Sequence, residues 1–239
     1  MQAKTTGIIL HSTKYKDTAT ILTVYTRQFG RVSYMVYGVN KKKSNNRSAL
    51  IQPLSIVNLD VRHVPGREMH QIKEIQMEYQ FTGIPFHPVK NAIGLFLAEI
   101  LFKTLKQSEP DEEMFEFLEN SIQQLDCCRE GVQNFHLIFL HKLCHYLGFE
   151  PNTENSGKYF DLLNGIFMNE IPTHIHYLLP EATTQFLGLL NTGFTSMDGL
   201  VLSKEKRTEL IKIMLEYYRL HLPEFHQVQS LAVLQSLFD

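Results

Sequence analysis

The amino-acid sequence predicts an α+β protein, in which a small β-barrel is followed by a helical domain. Three observations predict this fold class. Short runs rich in Val, Ile, Thr and Tyr fill the first 80 residues, a composition typical of strands. After the segment Ile84 to Pro88, the spacing of apolar residues changes from two to about 3.6, which is the period of a helix. The balance of charge also changes sign near residue 80.

The strands come first along the chain. The fourth run is the clearest, because Val57, Leu59 and Val61 alternate with polar residues and so create one buried and one solvated face. Turn or loop residues separate each run from the next. Five short antiparallel strands suit a closed barrel of the OB-fold type, whose strand 2 and 3 face and long loops commonly bind oligonucleotides. The predicted strands are residues 5–12, 20–25, 31–37, 55–62 and 69–77.

The helices follow from Val89 onward. Apolar residues between Val89 and Leu105 form one broad stripe. The next run opens with Pro110 and three acids, residues 111–113, which suit the positive end of a helix dipole. The run 132–147 is followed by Gly148, a usual stop signal. Further helices are predicted at residues 181–190, 204–220 and 230–238.

A small hairpin is predicted inside the helical domain, around residues 157–170. The pair Asn164-Gly165 is flanked by apolar residues, which is a signal for a two-residue hairpin turn. The segment contains no cysteine that could bind zinc. The sequence thus predicts an OB-fold barrel in residues 1–80 and, in residues 81–239, a helical domain with a hairpin insert that lacks zinc ligands.

The charges are distributed unevenly. Residues 1–80 carry 12 Lys and Arg against 5 Asp and Glu, a balance of +7, whereas residues 81–239 carry 11 against 20, a balance of −9; together they give the −2 of the whole chain. A basic first third suggests a polyanionic partner. The strongest cluster lies between the third and fourth strands, in residues 38–54, which we call the lysine loop.

We therefore expect the barrel to bind the phosphate backbone of a nucleic acid without sequence preference. Cations contact phosphates, and exposed aromatic rings can stack on unpaired bases. The aromatic residues of the barrel can equally pack in its core, so no individual stacking partner is assigned. The lysine loop supplies Lys41, Lys42, Lys43 and Arg47, and Lys14, Arg27 and Arg31 of the same domain are expected to assist.

No catalytic or cofactor-binding motif is present. The sequence contains no GxxxxGK[ST], GxGxxG, HExxH, GxSxG or CxxC, so we expect neither an enzyme nor a cofactor. His141, Cys144 and His145 share one helix face and could hold zinc. The favoured alternative places Cys144 in the core with the histidines flanking the apolar stripe, because no fourth ligand can be identified.

The compartment is predicted from what the sequence lacks. Its three cysteines cannot build a disulfide framework, which suits a reducing cytoplasm. The N-terminus has no long apolar region of a signal peptide. The most apolar stretch, residues 92–102, is interrupted by Glu99 and is shorter than the about 20 residues of a membrane helix.

The N-terminal sequence resembles the bacterial recombination mediator RecO family. The resemblance is carried by Tyr15 and Asp17, Thr26, Gly30-Arg31, Gly38, a basic loop closing at Ser44, Leu50 and Gln52-Pro53-Leu54. It continues through the helical segments LFLAEILFKTL and FHLIFLHKLCHYLGFEP to the closing segment LHLPEFHQVQSLAVLQSLF. Many members of that family carry four cysteines as a zinc module, but residues 152–180 contain none, so no zinc is expected here.

The resemblance implies a non-enzymatic DNA repair protein of the RecF pathway, cytoplasmic and associated with the nucleoid. Such a protein binds single- and double-stranded DNA and anneals complementary strands. With RecR, it helps to load RecA onto DNA coated by single-strand-binding protein. The acidic, apolar tail of single-strand-binding protein would dock on the helical domain beside a cation, which Arg129 or Lys142 could supply.

Three other functions remain open from the sequence. The first is an OB-fold RNA-binding or translation-associated module, which would have the same barrel and charge. The second is a pure interaction protein, whose basic loop meets an acidic protein surface. The third is a zinc-dependent enzyme that uses the face of His141, Cys144 and His145, and this one is ranked last because the fourth ligand is missing.

Overall fold

The computed structural model describes residues 2–15, 19–37, 49–64, 66–106 and 109–237. The predicted α+β class is confirmed, because a closed five-stranded barrel is followed by helices. The chain divides into two compact units, Met1–Cys127 and Cys128–Asp239. The domain boundary predicted near residue 80 lies between the last barrel strand and the first helix. The boundary between the two compact units lies after the second helix.

The barrel strands lie close to the predicted runs. They are β1 (Gln2–Tyr15), β2 (Ala19–Thr26), β3 (Gly30–Tyr37), β4 (Ile56–Arg62) and β5 (Met69–Met77). They close in the order β1, β2, β3, β5, β4. The barrel closes because β1 is long enough to pair with β4 through its first half and with β2 through its second half. A register shift between Ile9 and His11 marks the place where β1 changes partner, as expected of a β-bulge.

The alternation in β4 is confirmed. Val57, Leu59 and Val61 are fully or almost fully buried, whereas Asn58 and Arg62 are exposed. The three buried residues pack in the interior of the barrel against residues of β1, β2, β3 and β5. Tyr34 belongs to the same core and is completely buried, so its ring is a packing element of the barrel.

Two helices complete the first unit, α1 (Pro88–Thr104) and α2 (Glu112–Cys127). Asp126, near the end of α2, holds the connection between the barrel and α1. Its carboxylate accepts hydrogen bonds from the backbone N–H groups of Thr82, Gly83 and Ile84 at 2.9, 2.8 and 2.6 Å. These bonds lower the pKa of Asp126, although its burial by itself would raise it.

The second unit contains the remaining predicted helices. They are α3 (Phe135–Tyr146), α4 (Pro180–Leu190), α5 (Lys204–His221) and α6 (Leu231–Ser236), with short 3-10 turns at Val132–Asn134 and Met197–Gly199. The stop signal after α3 is confirmed, because Gly148 adopts a positive φ of 80°. Within the described parts of the chain, no helix has the length and apolar character required to cross a membrane.

The predicted hairpin is present, but its turn is longer than expected. Strands β6 (Tyr159–Asp161) and β7 (Ile166–Met168) are joined by the four residues 162–165, and β8 (Tyr177–Leu178) adds a third strand. The two-residue turn was wrong because Asp161 stabilises a wider loop. Its Oδ1 accepts from the backbone N–H groups of Leu163 and Asn164 at 2.9 and 3.0 Å.

Candidate nucleic-acid interface

The cations of the lysine loop cannot be placed. Lys41, Lys42, Lys43 and Arg47 lie outside the described residues. The strand that leads into the loop is described, and it ends at Tyr37. The described part of the candidate interface is therefore the two ends of β2 and the neighbouring ends of β1 and β3.

Lys14, Tyr15 and Tyr37 lie at the end of the barrel from which the lysine loop leaves. In the sheet register, Tyr15 is opposite Ala19, which is opposite Tyr37. Because directly paired residues point to the same face of a sheet, the two tyrosines flank Ala19 on one face. They are 43% and 51% exposed, and Lys14 beside them is also exposed. This end of the barrel thus combines a cation with aromatic surface.

Arg27 lies at the other end of β2 and is paired with acids of the same unit. Its guanidinium contacts the carboxylates of Glu112 and, at 2.8 Å, Glu119, both on α2. Glu116 is 3.9 Å away, and the guanidinium lies over the ring of Phe115 at 4.6 Å from the centroid. These contacts attach the turn between β2 and β3 to α2, so the charge of Arg27 is neutralised within the protein.

Arg31 is attached to the end of α1. Its guanidinium donates hydrogen bonds to the carbonyl oxygens of Phe102 and Leu105 at 2.7 and 2.6 Å, and it stacks over the ring of Phe102 at 4.6 Å. A cation at these last carbonyls also suits the negative end of the helix dipole. Burial lowers the pKa of Arg31. The geometry assigns Arg31 to packing of the barrel on α1.

The described cations of the predicted site are therefore divided between two ends of the barrel. Lys14 is paired with Thr20, near the start of β2, whereas Arg27 follows its last residue, Thr26. At about 3.3 Å per residue these positions are about 20 Å apart. Arg27 and Arg31 thus lie apart from Lys14, and their contacts are structural. Counting charges along the sequence could not distinguish these two groups.

The helix face of His141, Cys144 and His145 does not converge on one point. Cys144 is completely buried, and its thiol donates to the carbonyl oxygen of Leu140 at 3.3 Å. Burial raises the pKa of this thiol well above its usual range. His145 is exposed and contacts Glu150 at 2.7 Å. Among the residues that the structure describes, no group of three or more potential metal ligands is assembled.

The two cations predicted for a protein partner lie in the second unit. Arg129 is exposed and precedes the 3-10 turn at Val132, whereas Lys142 is partly buried on α3. Sequence reasoning missed a shallow pocket between α5 and α6, where Lys204 and Arg207 lie beside the apolar residues Ile211 and Leu234. Its cations and apolar residues come from helices that the sequence did not predict to be adjacent.

Comparison with known proteins identifies relatives along the whole chain. The family model described as recombination protein O N terminal matches residues 1–81, and that described as recombination protein O C terminal matches residues 86–230. The DNA repair protein RecO of Phocaeicola vulgatus is 38% identical, with 100% of both chains covered. The DNA repair proteins RecO of Flavobacterium psychrophilum and Porphyromonas gingivalis are each 33% identical, with 100% and 98% of both chains covered.

Proposed function

The chain belongs to the RecO family of DNA repair proteins, and from this premise we propose that its barrel binds single- and double-stranded DNA and anneals complementary strands. One observation supports this proposal most directly. Lys14 and two exposed tyrosines lie at the barrel end from which the chain continues into the lysine loop.

The binding would be electrostatic and independent of sequence. Lysine and arginine side chains neutralise phosphates and release the condensed counterions, so affinity falls steeply with salt. The proposed phosphate contacts come from Lys14 and from the loop cations Lys41, Lys42, Lys43 and Arg47. Arg27 and Arg31 are left out of this set, because their guanidinium groups are occupied by the contacts with α1 and α2.

Annealing requires no chemistry on the strands. Two complementary strands need only be concentrated on one cationic surface while their bases remain accessible. Backbone-directed contacts leave the base edges exposed. We therefore propose that the protein anneals strands without nucleotide hydrolysis and is not an enzyme.

The test is a salt titration of a triple variant in which Lys41, Lys42 and Lys43 are replaced by alanine. Each lost phosphate contact should reduce the log-log slope of affinity against salt by about 0.7 on single strands and about 0.9 on duplex. The matched control replaces Lys158, Lys206 and Lys212, three exposed lysines of the second unit, so the change in net charge is the same. An unchanged slope in the loop variant would contradict the assignment.

Strand annealing is measured with the same two variants in the absence of nucleotide. We expect the loop variant to anneal more slowly and the control variant to match the unchanged protein. Equal binding of RNA and DNA without annealing would instead support the RNA-binding alternative. Absence of DNA binding at moderate salt would support a pure interaction protein.

We further propose that the protein acts in the cytoplasm, at the nucleoid, with RecR and with single-strand-binding protein, and that it promotes RecA loading. The acidic tail of single-strand-binding protein needs a cation beside apolar surface. The candidates for that cation are the predicted Arg129 and Lys142, and we add the exposed Lys204 at the start of α5. Binding of a tail peptide to the Lys204→Glu variant, compared with Lys142→Glu, would distinguish these sites.

A further inference from the structure

The outer face of β1, β2 and β3 carries two tyrosines at the barrel end next to the lysine loop. Tyr15 is opposite Ala19, and Ala19 is opposite Tyr37, so the three residues form one row across the strands, which we call the tyrosine row. Leu22 and Tyr34, at alternate positions of β2 and β3, fill the barrel core. Because successive residues of a strand point to opposite faces, the tyrosine row lies on the outside of the barrel.

Both rings of the tyrosine row are accessible to a ligand. Tyr15 is 43% exposed and Tyr37 is 51% exposed. Ala19 between them is 3% exposed, so the surface is closed at this level, and a ligand would lie on the solvent side of the rings. The next row of the same face includes Ile21 opposite Met35, both partly exposed, and it extends the apolar surface along the strands.

The spacing of the two tyrosines suits a strand whose bases are not stacked on each other. Neighbouring strands of a sheet lie about 4.8 Å apart, so the backbones at Tyr15 and Tyr37, two strands apart, are separated by about 10 Å. Bases of a stacked strand follow each other at about 3.4 Å. Stacked neighbouring bases are therefore too close together to contact both rings, whereas an extended strand can place one base on each ring.

Each tyrosine of the row has cations near it in the sequence. Lys14 precedes Tyr15, and Lys41 follows Tyr37 by four residues. Lys14 is exposed and is opposite Thr20, which is 3% exposed, so Lys14 extends from the rim of the barrel and not from the face of the rings. Phosphates that are held at the rim leave the ring face open to the bases.

We propose that one unpaired DNA strand crosses β1, β2 and β3 at this end of the barrel, with one base stacked on Tyr15, another on Tyr37, and phosphates at Lys14 and the lysine loop. This inference rests on the proposed function and deepens it, because it assigns the path of the strand and a preference for single strands. Bases inside a duplex are already stacked and paired, so a duplex reaches the cations but not the rings. A base stacked by its face keeps its Watson–Crick edge free, as annealing requires.

The experiment measures the affinity of the full chain by fluorescence anisotropy for three DNA ligands of equal length, which are oligothymidylate, an abasic oligonucleotide and a duplex. Tyr15→Ala and Tyr37→Ala each remove one ring, whereas Tyr15→Phe and Tyr37→Phe keep it. The matched control is Phe86→Ala, which removes a ring that is 79% exposed and lies outside the three strands. Thermal unfolding of each variant establishes that it is folded.

Each alanine variant should bind oligothymidylate about 5-fold or more weakly, which is the loss expected for one stacked base. The double alanine variant should lose about 25-fold or more, because the two rings contact separate bases. Affinity for the abasic strand and the duplex should not change, and the salt slope should not change either, since no phosphate contact is removed. The phenylalanine variants and Phe86→Ala should bind as the unchanged protein does. Lys14→Ala should instead weaken binding to all three ligands and reduce the slope on single strands by about 0.7.

The outcomes separate the two proposals. If the unchanged protein binds DNA but both alanine variants bind oligothymidylate as it does, the tyrosine site is wrong and the proposed function stands. Equal weakening on oligothymidylate and on the abasic strand would also overturn the site, because a ring that acts through bases cannot affect a strand that lacks them. Equal affinity of the unchanged protein for these two strands would refute stacking even where an alanine variant is poorly folded. If the unchanged protein binds none of the ligands, both proposals fail.

Discussion

The structural role of Arg31 can be separated from a role in DNA binding by one substitution series. Replacing Arg31 by alanine removes the hydrogen bonds to the carbonyl oxygens of Phe102 and Leu105 and the contact with the Phe102 ring. Hydrogen bonds from a charged donor contribute about 1.5–3 kcal/mol each. The side chain is partly exposed, so we take about 1 kcal/mol for each bond and about 0.5–1 kcal/mol for the ring. The expected loss in the free energy of unfolding is about 3 kcal/mol.

The assay is urea unfolding followed by circular dichroism, together with a salt titration of DNA binding. At a slope of about 1–3 kcal/mol per molar urea, the midpoint of the transition that reports the first unit should fall by about 1–3 M. DNA affinity and its salt slope, measured in the absence of urea, should not change, because the guanidinium is occupied within the protein.

The control is Arg31→Lys, which keeps the positive charge. A lysine cannot bridge two carbonyl oxygens and stack on a ring at the same time. The free energy of unfolding of Arg31→Lys should therefore fall by most of the about 3 kcal/mol expected for Arg31→Ala. If the charge of Arg31 acted on phosphates, Arg31→Lys would bind DNA normally and Arg31→Ala would lose about 0.7–0.9 of the salt slope. That pattern, with unchanged stability in both variants, would refute the structural assignment.

Two further predictions concern buried groups. Burial lowers the pKa of His136 to about 3 and of His141 to about 4, so the unfolded chain, in which histidine titrates near 6.5, binds protons that the folded chain cannot. Stability is therefore greatest above pH 6.5 and is lost as the pH falls; from pH 6.5 to 5.0 each histidine should cost about 2 kcal/mol. Urea unfolding at both pH values checks this, and His136→Gln should remove about half of the difference. Asp126→Ala leaves the backbone N–H groups of Thr82, Gly83 and Ile84 without their acceptor and should lower the free energy of unfolding by about 3 kcal/mol. Asp126→Asn, which keeps one acceptor oxygen, should lose less, and a larger loss in Asn than in Ala would contradict this explanation.

Local patterns predicted most of the fold. The alternation in β4, the glycine after α3 and the acids that open α2 each depend on residues only a few positions apart. Oδ1 of Asp111, for example, accepts from the backbone N–H of Met114 at 2.9 Å, as expected for an acid at the start of a helix. The hairpin turn was wrong in length because Asn164-Gly165 was interpreted without the side chain of Asp161, three residues earlier, which stabilises the wider loop.

The candidate sites were harder to predict because they depend on distant residues. Arg27 meets Glu112 and Glu119, more than 80 residues away, with sequence separations of 85 and 92. A single sequence, read without its relatives, shows such acids only as the polar face of a later helix. The stacked rings of Phe29, His63 and His70 come from the β2–β3 connection, the β4–β5 connection and β5. Each of these rings is unremarkable where it stands in the sequence, and no local pattern links them.

The distribution of charge in the first compact unit explains why net charge is a poor guide to where a polyanion would bind. Residues 81–127 carry 3 Lys and Arg against 8 Asp and Glu, so the balance of +7 in residues 1–80 becomes +2 for the whole unit. Three of those acids surround Arg27, at the end of β2 away from Lys14. Electrostatic attraction of a polyanion therefore depends on where the cations are clustered, since screening limits each charge to about 10 Å at moderate salt. We expect a duplex to be attracted mainly to the barrel end that carries Lys14 and leads into the lysine loop. The acids of α2 would repel a duplex from the opposite end of the barrel.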